Sequence, residues 1–171
     1  VCDIQMRTNE TLDTIQPEAI CKPLSISLGG NGTISISAAE INNNSSDNVG
    51  IDTMYLSQYD FGCGDVGQQL VSLYVQDNAG NIDSCMATVM VQDAINPRVV
   101  CHSPVTTNLD ESGMANVSVA DLNNNSNDNC GIDTMYLSQY DFGCADAGQQ
   151  LGSLYVQDQA GHIDSCSAPV M

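Results

Sequence analysis

Residues 68–92 read QQLVSLYVQD, NAGN and IDSCMATVMVQ, and residues 149–171 read QQLGSLYVQD, QAGH and IDSCSAPVM. In the first copy Val71, Leu73 and Val75 alternate with polar residues. After the four-residue turn at 78–81, Cys85, Ala87, Val89 and Val91 alternate again. Two period-2 runs around a short Gly/Asn turn specify an antiparallel hairpin with one apolar face. Working outward, GIDTMYLSQYDFGC occupies 50–63 and returns at 131–144. Without gaps, residues 42–90 match 123–171 at 40 of 49 positions. Such a repeat means one module used twice.

The rest of the first module reads as short strands broken by Gly, Asn and Pro. KPLSISL (22–28) and TISISA (33–38) are strands around the GGNG turn at 29–32, with Ile34 and Ile36 on one face. NNNSSDN (42–48) is a loop, and GIDTMYLS (50–57) and FGC (61–63) are further strands. About six short strands with turns every 8–12 residues is the pattern of a β-sandwich. The expected fold is all-β, two tandem Ig-like sandwiches spanning 13–92 and 93–171, preceded by an extra strand at 1–12. Each module is small enough to need staples.

Eight cysteines stand at 2, 21, 63, 85, 101, 130, 144 and 166, with no CxxC pair. Zinc-finger spacing is absent, so disulfides in an oxidising, extracellular compartment are expected. No signal peptide or membrane-spanning run is present, and the chain reads as mature or excised sequence. The net charge of −18, with three basic residues, repels phosphate backbones and excludes nucleic acid as a partner. Membrane insertion is not expected.

The segments PEAICKPLSISLGGNGTISISAAEINNNSSDN and VGQQLVSLYVQDNAGNIDSCMATVMV, each with a second copy, resemble the tandem Ig-like repeats of bacterial extracellular proteins, related to hyalin-type repeats. The resemblance covers nearly the whole chain. It implies surface adhesins, stalks and fibre-forming proteins, and says little about function beyond that.

Cys63 and Cys85 recur as Cys144 and Cys166 with the same 22-residue spacing, which suggests pairing within each module. Cys101 and Cys130 are expected to pair as well. Val49 stands where Cys130 does, so Cys21 is left either to Cys2 or unpaired, with Cys2 then bonding outside its own chain. DTIQPEAIC (13–21) matches DAINPRVVC (93–101), and both read as linkers into a module. In that register residues 1–12 are a final strand with no module in front, while the last strand of the second module is curtailed and carries Pro169. Strand addition from residues 1–12, through Cys2, Ile4 and Met6, into a neighbouring chain is the expected joint. A head-to-tail contact that does not close gives a filament. An ordinary tandem array cut from a longer protein is the alternative.

Asp77 to Asp83 (DNAGNID) recurs as Asp158 to Asp164 (DQAGHID), and Asp47 recurs as Asp128. The linkers carry Asp13 and Asp93. Together, Asp47, Asp77, Asp83, Asp93, Asp128, Asp158 and Asp164 are candidate calcium ligands, since calcium takes six to eight oxygens. The alternative is Asx-type turn chemistry on a solvated acidic surface. Sequons at Asn9, Asn31, Asn43, Asn44, Asn116 and Asn124 are candidate N-glycan sites. His102 and His162 lie in no nucleophile or zinc motif, and no enzyme is expected. The repeated tyrosines read as sheet surface or packing. The expected function is a structural subunit of an extracellular filament or surface fibre. The alternative is an adhesive or carbohydrate-binding repeat of a long cell-surface protein.

Overall fold

The structure, a computed structural model, describes residues 13–171. The N-terminal segment, with Cys2, Ile4, Met6 and Asn9, lies outside the described residues. The described chain is all-β, in two compact units that divide between Gln92 and Asp93, with the turn at 27–33 grouped in the second.

In the first unit, β1 (Leu24–Ser27), β2 (Thr33–Ser35), β3 (Ile51–Leu56), β4 (Asp60–Gly62), β5 (Gly67–Asp77) and β6 (Ile82–Gln92) form two sheets. The larger has the order β1-β6-β5-β3, and the smaller pairs β2 with β4. The β5–β6 hairpin is its spine, antiparallel from Gly67↔Val91 to Gln76↔Ile82. Alternation does what the pattern requires. Val71, Leu73 and Val75 are fully buried, as are Val89 and Val91 within a percent. Leu56, Phe61 and Ile41 are buried as well, while Tyr55 and Tyr74 stack on the other face at 5.0 Å. The tyrosine hydroxyl of Tyr59 accepts from the Leu56 N–H, so this repeated tyrosine closes the β3–β4 connection.

TISISA does not run as one strand. β2 stops at Ser35, and a one-turn helix α1 (Ala38–Ile41) follows. The cause is local: Glu40 folds back to accept from both the N–H and the hydroxyl of Ser37. This box competes with the strand pattern and lets Ile41 drop completely into the core.

The second unit repeats the plan with β7 (Met114–Asn116), α2 (Val119–Leu122), β8 (Ile132–Leu137), β9 (Asp141–Gly143), β10 (Gln150–Asp158) and β11 (Ile163–Val170). Its sheets are β11-β10-β8 and β7-β9. Leu122, Phe142, Leu154, Val156 and Val170 fill its core. The counterpart of β1 is reduced to a parallel bridge between Val105 and Val170.

The disulfides differ from the expected ones. Cys21 bonds Cys85, and Cys101 bonds Cys166, at sequence separations of 64 and 65. The pairings Cys63–Cys85, Cys144–Cys166, Cys101–Cys130 and Cys2–Cys21 are therefore overturned. Register explains the first two. Cys63 precedes Gly67, whose partner is Val91, and Cys85 lies six residues further along β6. At about 3.4 Å per residue that is roughly 20 Å, far beyond the ~7 Å that a bridge spans. Recurrence in the two copies does not single out the expected pairing, because the observed bridges also recur, with separations that differ by one residue. Cys63 and Cys130 are each in a disulfide, whereas Cys144 is a free, exposed thiol. Closing loops of this length contributes about 4 kcal/mol each through the unfolded chain.

Candidate cation sites

Each unit gathers three aspartates from three separate segments. Asp13, Asp47 and Asp77 form one cluster, and Asp93, Asp128 and Asp158 form the other. In each, one carboxylate oxygen from every residue lies within 4.8 Å of the others. The contributions correspond: an aspartate from the segment entering the module, one from the loop before β3 or β8, and one from the end of β5 or β10.

Local turn chemistry aims these side chains. Asp47 Oδ2 accepts from the N–H groups of Val49 and Gly50. Gly50 holds φ +129°, a conformation that glycine takes without strain. Asp77 Oδ1 accepts from the N–H groups of Ala79 and Asn81, and its Oδ2 from the Asn81 amide at 2.7 Å. Asp13 Oδ1 accepts from Ile15 N–H, and its Oδ2 from the Asn48 amide. The same Asn81 amide donates to the backbone carbonyls of Asp13 and Ile15. In the second cluster Asp128 Oδ2 accepts from Cys130 N–H, and Asp93 Oδ1 from Ile95 N–H and the Asn129 amide. Asp158 Oδ1 accepts from His162 N–H, and Oδ2 pairs with His162 Nδ1 at 2.8 Å.

The remaining oxygens decide what the clusters can do. Asp47 Oδ1, Asp93 Oδ2 and Asp128 Oδ1 are buried with no hydrogen-bond partner. Asp93 itself is 7% exposed, Asp77 2% and Asp158 1%. A buried carboxylate oxygen without a donor is costly, and three close carboxylates repel one another. Among the described residues no lysine or arginine pairs with either cluster, and the ion pair present is His162 with Asp158.

Burial pushes the Asp77 carboxyl up, but the amide of Asn81 and the N–H groups of Asn81, Ala79 and Gly80 outweigh it. The net result is a carboxyl held below its ordinary value. Asp158 behaves alike: burial raises it, and His162, by hydrogen bonds and charge, brings it below the ordinary value. Both groups are thus held as anions. Clustered carboxyl groups, three of them with a buried oxygen that accepts no hydrogen bond, and no thiolate among them suit a hard, oxygen-seeking cation. The residues present fit such an ion: Asp13, Asp47 and Asp77 would hold one, and Asp93, Asp128 and Asp158 another.

Of the seven aspartates singled out from sequence, five fall in the clusters. Asp83 and Asp164 do not. Asp83 Oδ2 accepts from Ala19 N–H at 2.9 Å, and Asp164 is exposed and accepts from its neighbour Ser165. Both follow the first residue of a strand, one turn beyond the cluster. The roles of Asn81 and His162 as anchors for Asp77 and Asp158 were not read from the sequence, although DxxxN and DxxxH spacing across a tight turn is their signal. The sequon residues Asn31, Asn43, Asn44 and Asn116 are exposed, and Asn124 is half-buried. The Asn116 amide donates to Asp141.

No family model matches the chain. No curated protein matches it either. Solved structures to which the chain is similar include the protocadherin gammaB4 extracellular domain, at 12% identity and a TM-score of 0.37, covering 91% of this chain and 32% of that one. Human protocadherin-24 EC1-2 aligns at 11% identity and 0.43, covering 91% and 97%. The fibronectin(III)-like modules of Clostridium thermocellum CbhA align at 10% and 0.34, covering 91% and 92%. The chain thus spans about a third of the gammaB4 ectodomain. At such identities and scores these likenesses carry no functional weight.

Proposed function

We propose that the chain is a non-enzymatic structural subunit of an extracellular filament or surface fibre, in which calcium braces the segment entering each module. The observation that carries this reading is the composition of the clusters. Each joins an aspartate of the incoming segment to two aspartates of the module it enters, and buried oxygens on Asp47, Asp93 and Asp128 have no donor. A cation held there would tie the entering backbone to the β3–β5 or β8–β10 end of the sheet. Disulfides at Cys21–Cys85 and Cys101–Cys166 staple the same modules and suit an oxidising exterior. Stiffness, rather than chemistry, is the product of such a design. Head-to-tail joining through residues 1–12 completes the reading.

Thermal unfolding tests it. An ion that binds only the folded state adds about 2.7 kcal/mol at a hundredfold excess over its Kd. Melting in millimolar calcium should therefore occur several degrees above melting in chelator, with magnesium giving a smaller rise. Coincident melting curves in calcium and chelator would refute the cation reading.

A further inference from the structure

The two aspartate clusters are built from matching residues, yet they differ in how the entering aspartate is held. In the first, Asp13 is committed at both oxygens: Oδ1 accepts from Ile15 N–H and Oδ2 from the Asn48 amide. In the second, the corresponding donors, Ile95 N–H and the Asn129 amide, both fall on Asp93 Oδ1. Asp93 Oδ2 is thereby left buried with no hydrogen-bond partner, on a residue 7% exposed, whereas Asp13 is half-buried. Asp128 Oδ1 is in the same state. The second cluster therefore holds two such oxygens and the first holds one, on Asp47. A buried carboxylate oxygen with no donor is costly, and a cation that takes it as a ligand removes that cost. The second cluster gains more from an ion than the first.

A second difference lies in the hairpin turn beside each cluster. Asn81 of the first copy is replaced by His162 in the second. The Asn81 amide donates to Asp77 Oδ2, and also to the backbone carbonyls of Asp13 and Ile15 at 3.1 and 3.2 Å. An amide of the protein itself thus fastens the entering segment of the first unit to the β5–β6 turn. His162 keeps the contact with the aspartate, Nδ1 against Asp158 Oδ2, and among the described residues gives none to the carbonyls of Asp93 and Ile95. The chemistry of the two side chains accounts for this, since an amide NH2 carries two donor hydrogens and an imidazole nitrogen one at most.

We infer that the two clusters fill in a fixed order and serve different ends. A hard divalent cation enters Asp93, Asp128 and Asp158 first, and that ion is what fastens residues 93–95 to the second unit. In the first unit Asn81 fastens residues 13–15, and the cluster of Asp13, Asp47 and Asp77 is the weaker site. One further carboxylate oxygen relieved of its unmet hydrogen bond sets a gap in affinity of about tenfold. The inference rests on the cation reading above, and adds to it the order of filling and the residue that sets the difference between the copies.

The test uses the 171-residue chain, stripped with chelator and titrated with calcium chloride alone. Hydrogen–deuterium exchange is read by mass spectrometry on peptides covering 13–20 and 93–100. In chelator, residues 13–20 should already exchange more slowly than 93–100. Calcium should then slow 93–100 at a concentration about tenfold below that at which 13–20 respond. Asp93→Asn should remove the low-concentration step and keep the other. His162→Asn, which returns the amide, should slow exchange at 93–100 in chelator and shrink the response to calcium there. A variant that merely folds badly would exchange faster, so the expected slowing reports the latch itself. Both segments responding at one concentration, or 13–20 responding first, would overturn the order and leave the cation reading standing. A His162→Asn chain that exchanges like its parent in chelator would overturn the role given to the amide. No response to calcium in either segment would overturn the order and the cation reading together.

Discussion

Val71 lies fully buried in the first unit, and its counterpart in the second is Gly152. The lost volume is not left empty. A Cβ placed on Gly152 would meet Val170 Cγ2 at 3.0 Å and Leu122 Cδ2 at 3.3 Å, so these two side chains have closed over the gap. Restoring the larger residue is therefore no repair. Gly152→Ala should lower stability by about 1 kcal/mol, and Gly152→Val by more, because a packed core resists added atoms. Denaturant unfolding measures this, and a stabilised Gly152→Ala would show that the space is in fact open. The same logic governs the clusters. Asp47, Asp93 and Asp128 each commit one oxygen to a local N–H and keep the other for something the protein does not supply.

At the scale of elements, the two one-turn helices depend on charge. Glu40 accepts from the backbone N–H and hydroxyl of Ser37, and Asp121 from the hydroxyl and N–H of Ser118, and each carboxyl is thereby held below its ordinary value. A depressed carboxyl contributes stability that is fully present above its unfolded pKa and lost as pH falls through the folded one. Acid should therefore weaken these turns below about pH 4, and Glu40→Gln should remove that part of the dependence. Unfolding measured from pH 6 to pH 2 should give a shallower acid slope for Glu40→Gln than for the parent chain; equal slopes would contradict the assignment. These elements also show what the sequence could and could not convey. The β5–β6 hairpin was legible because its alternation spans eleven residues on each side. The strand at 33–38 was misread, since Ser37 and Glu40 signal a helix start only if a three-residue spacing is preferred to the Ile34/Ile36 alternation. The disulfide pairing is not legible in the spacing, because Cys63 and Cys85 recur 22 residues apart while the bridged cysteines recur at 64 and 65. Only sheet register separates the two pairings.

For the whole molecule, an acidic chain of net charge −18 must manage its own repulsion. Most of that charge is solvated, but six aspartates are drawn together in threes at the entrance to each unit. The sequence pointed to the turns that carry them, and to the linkers, because the repeat brings the same residues back in the same order. It did not reveal that Asp83 and Asp164 turn away, which depends on where strands β6 and β11 begin. Binding of a cation at both entrances is the claim on which the structural role depends. Isothermal titration of calcium into the chelator-treated chain measures it directly. Saturable binding of at least one ion per cluster is predicted, with Asp93→Asn removing the component from the second cluster and sparing the first. A titration with no heat beyond dilution, or an Asp93→Asn profile identical to that of the parent chain, would contradict it.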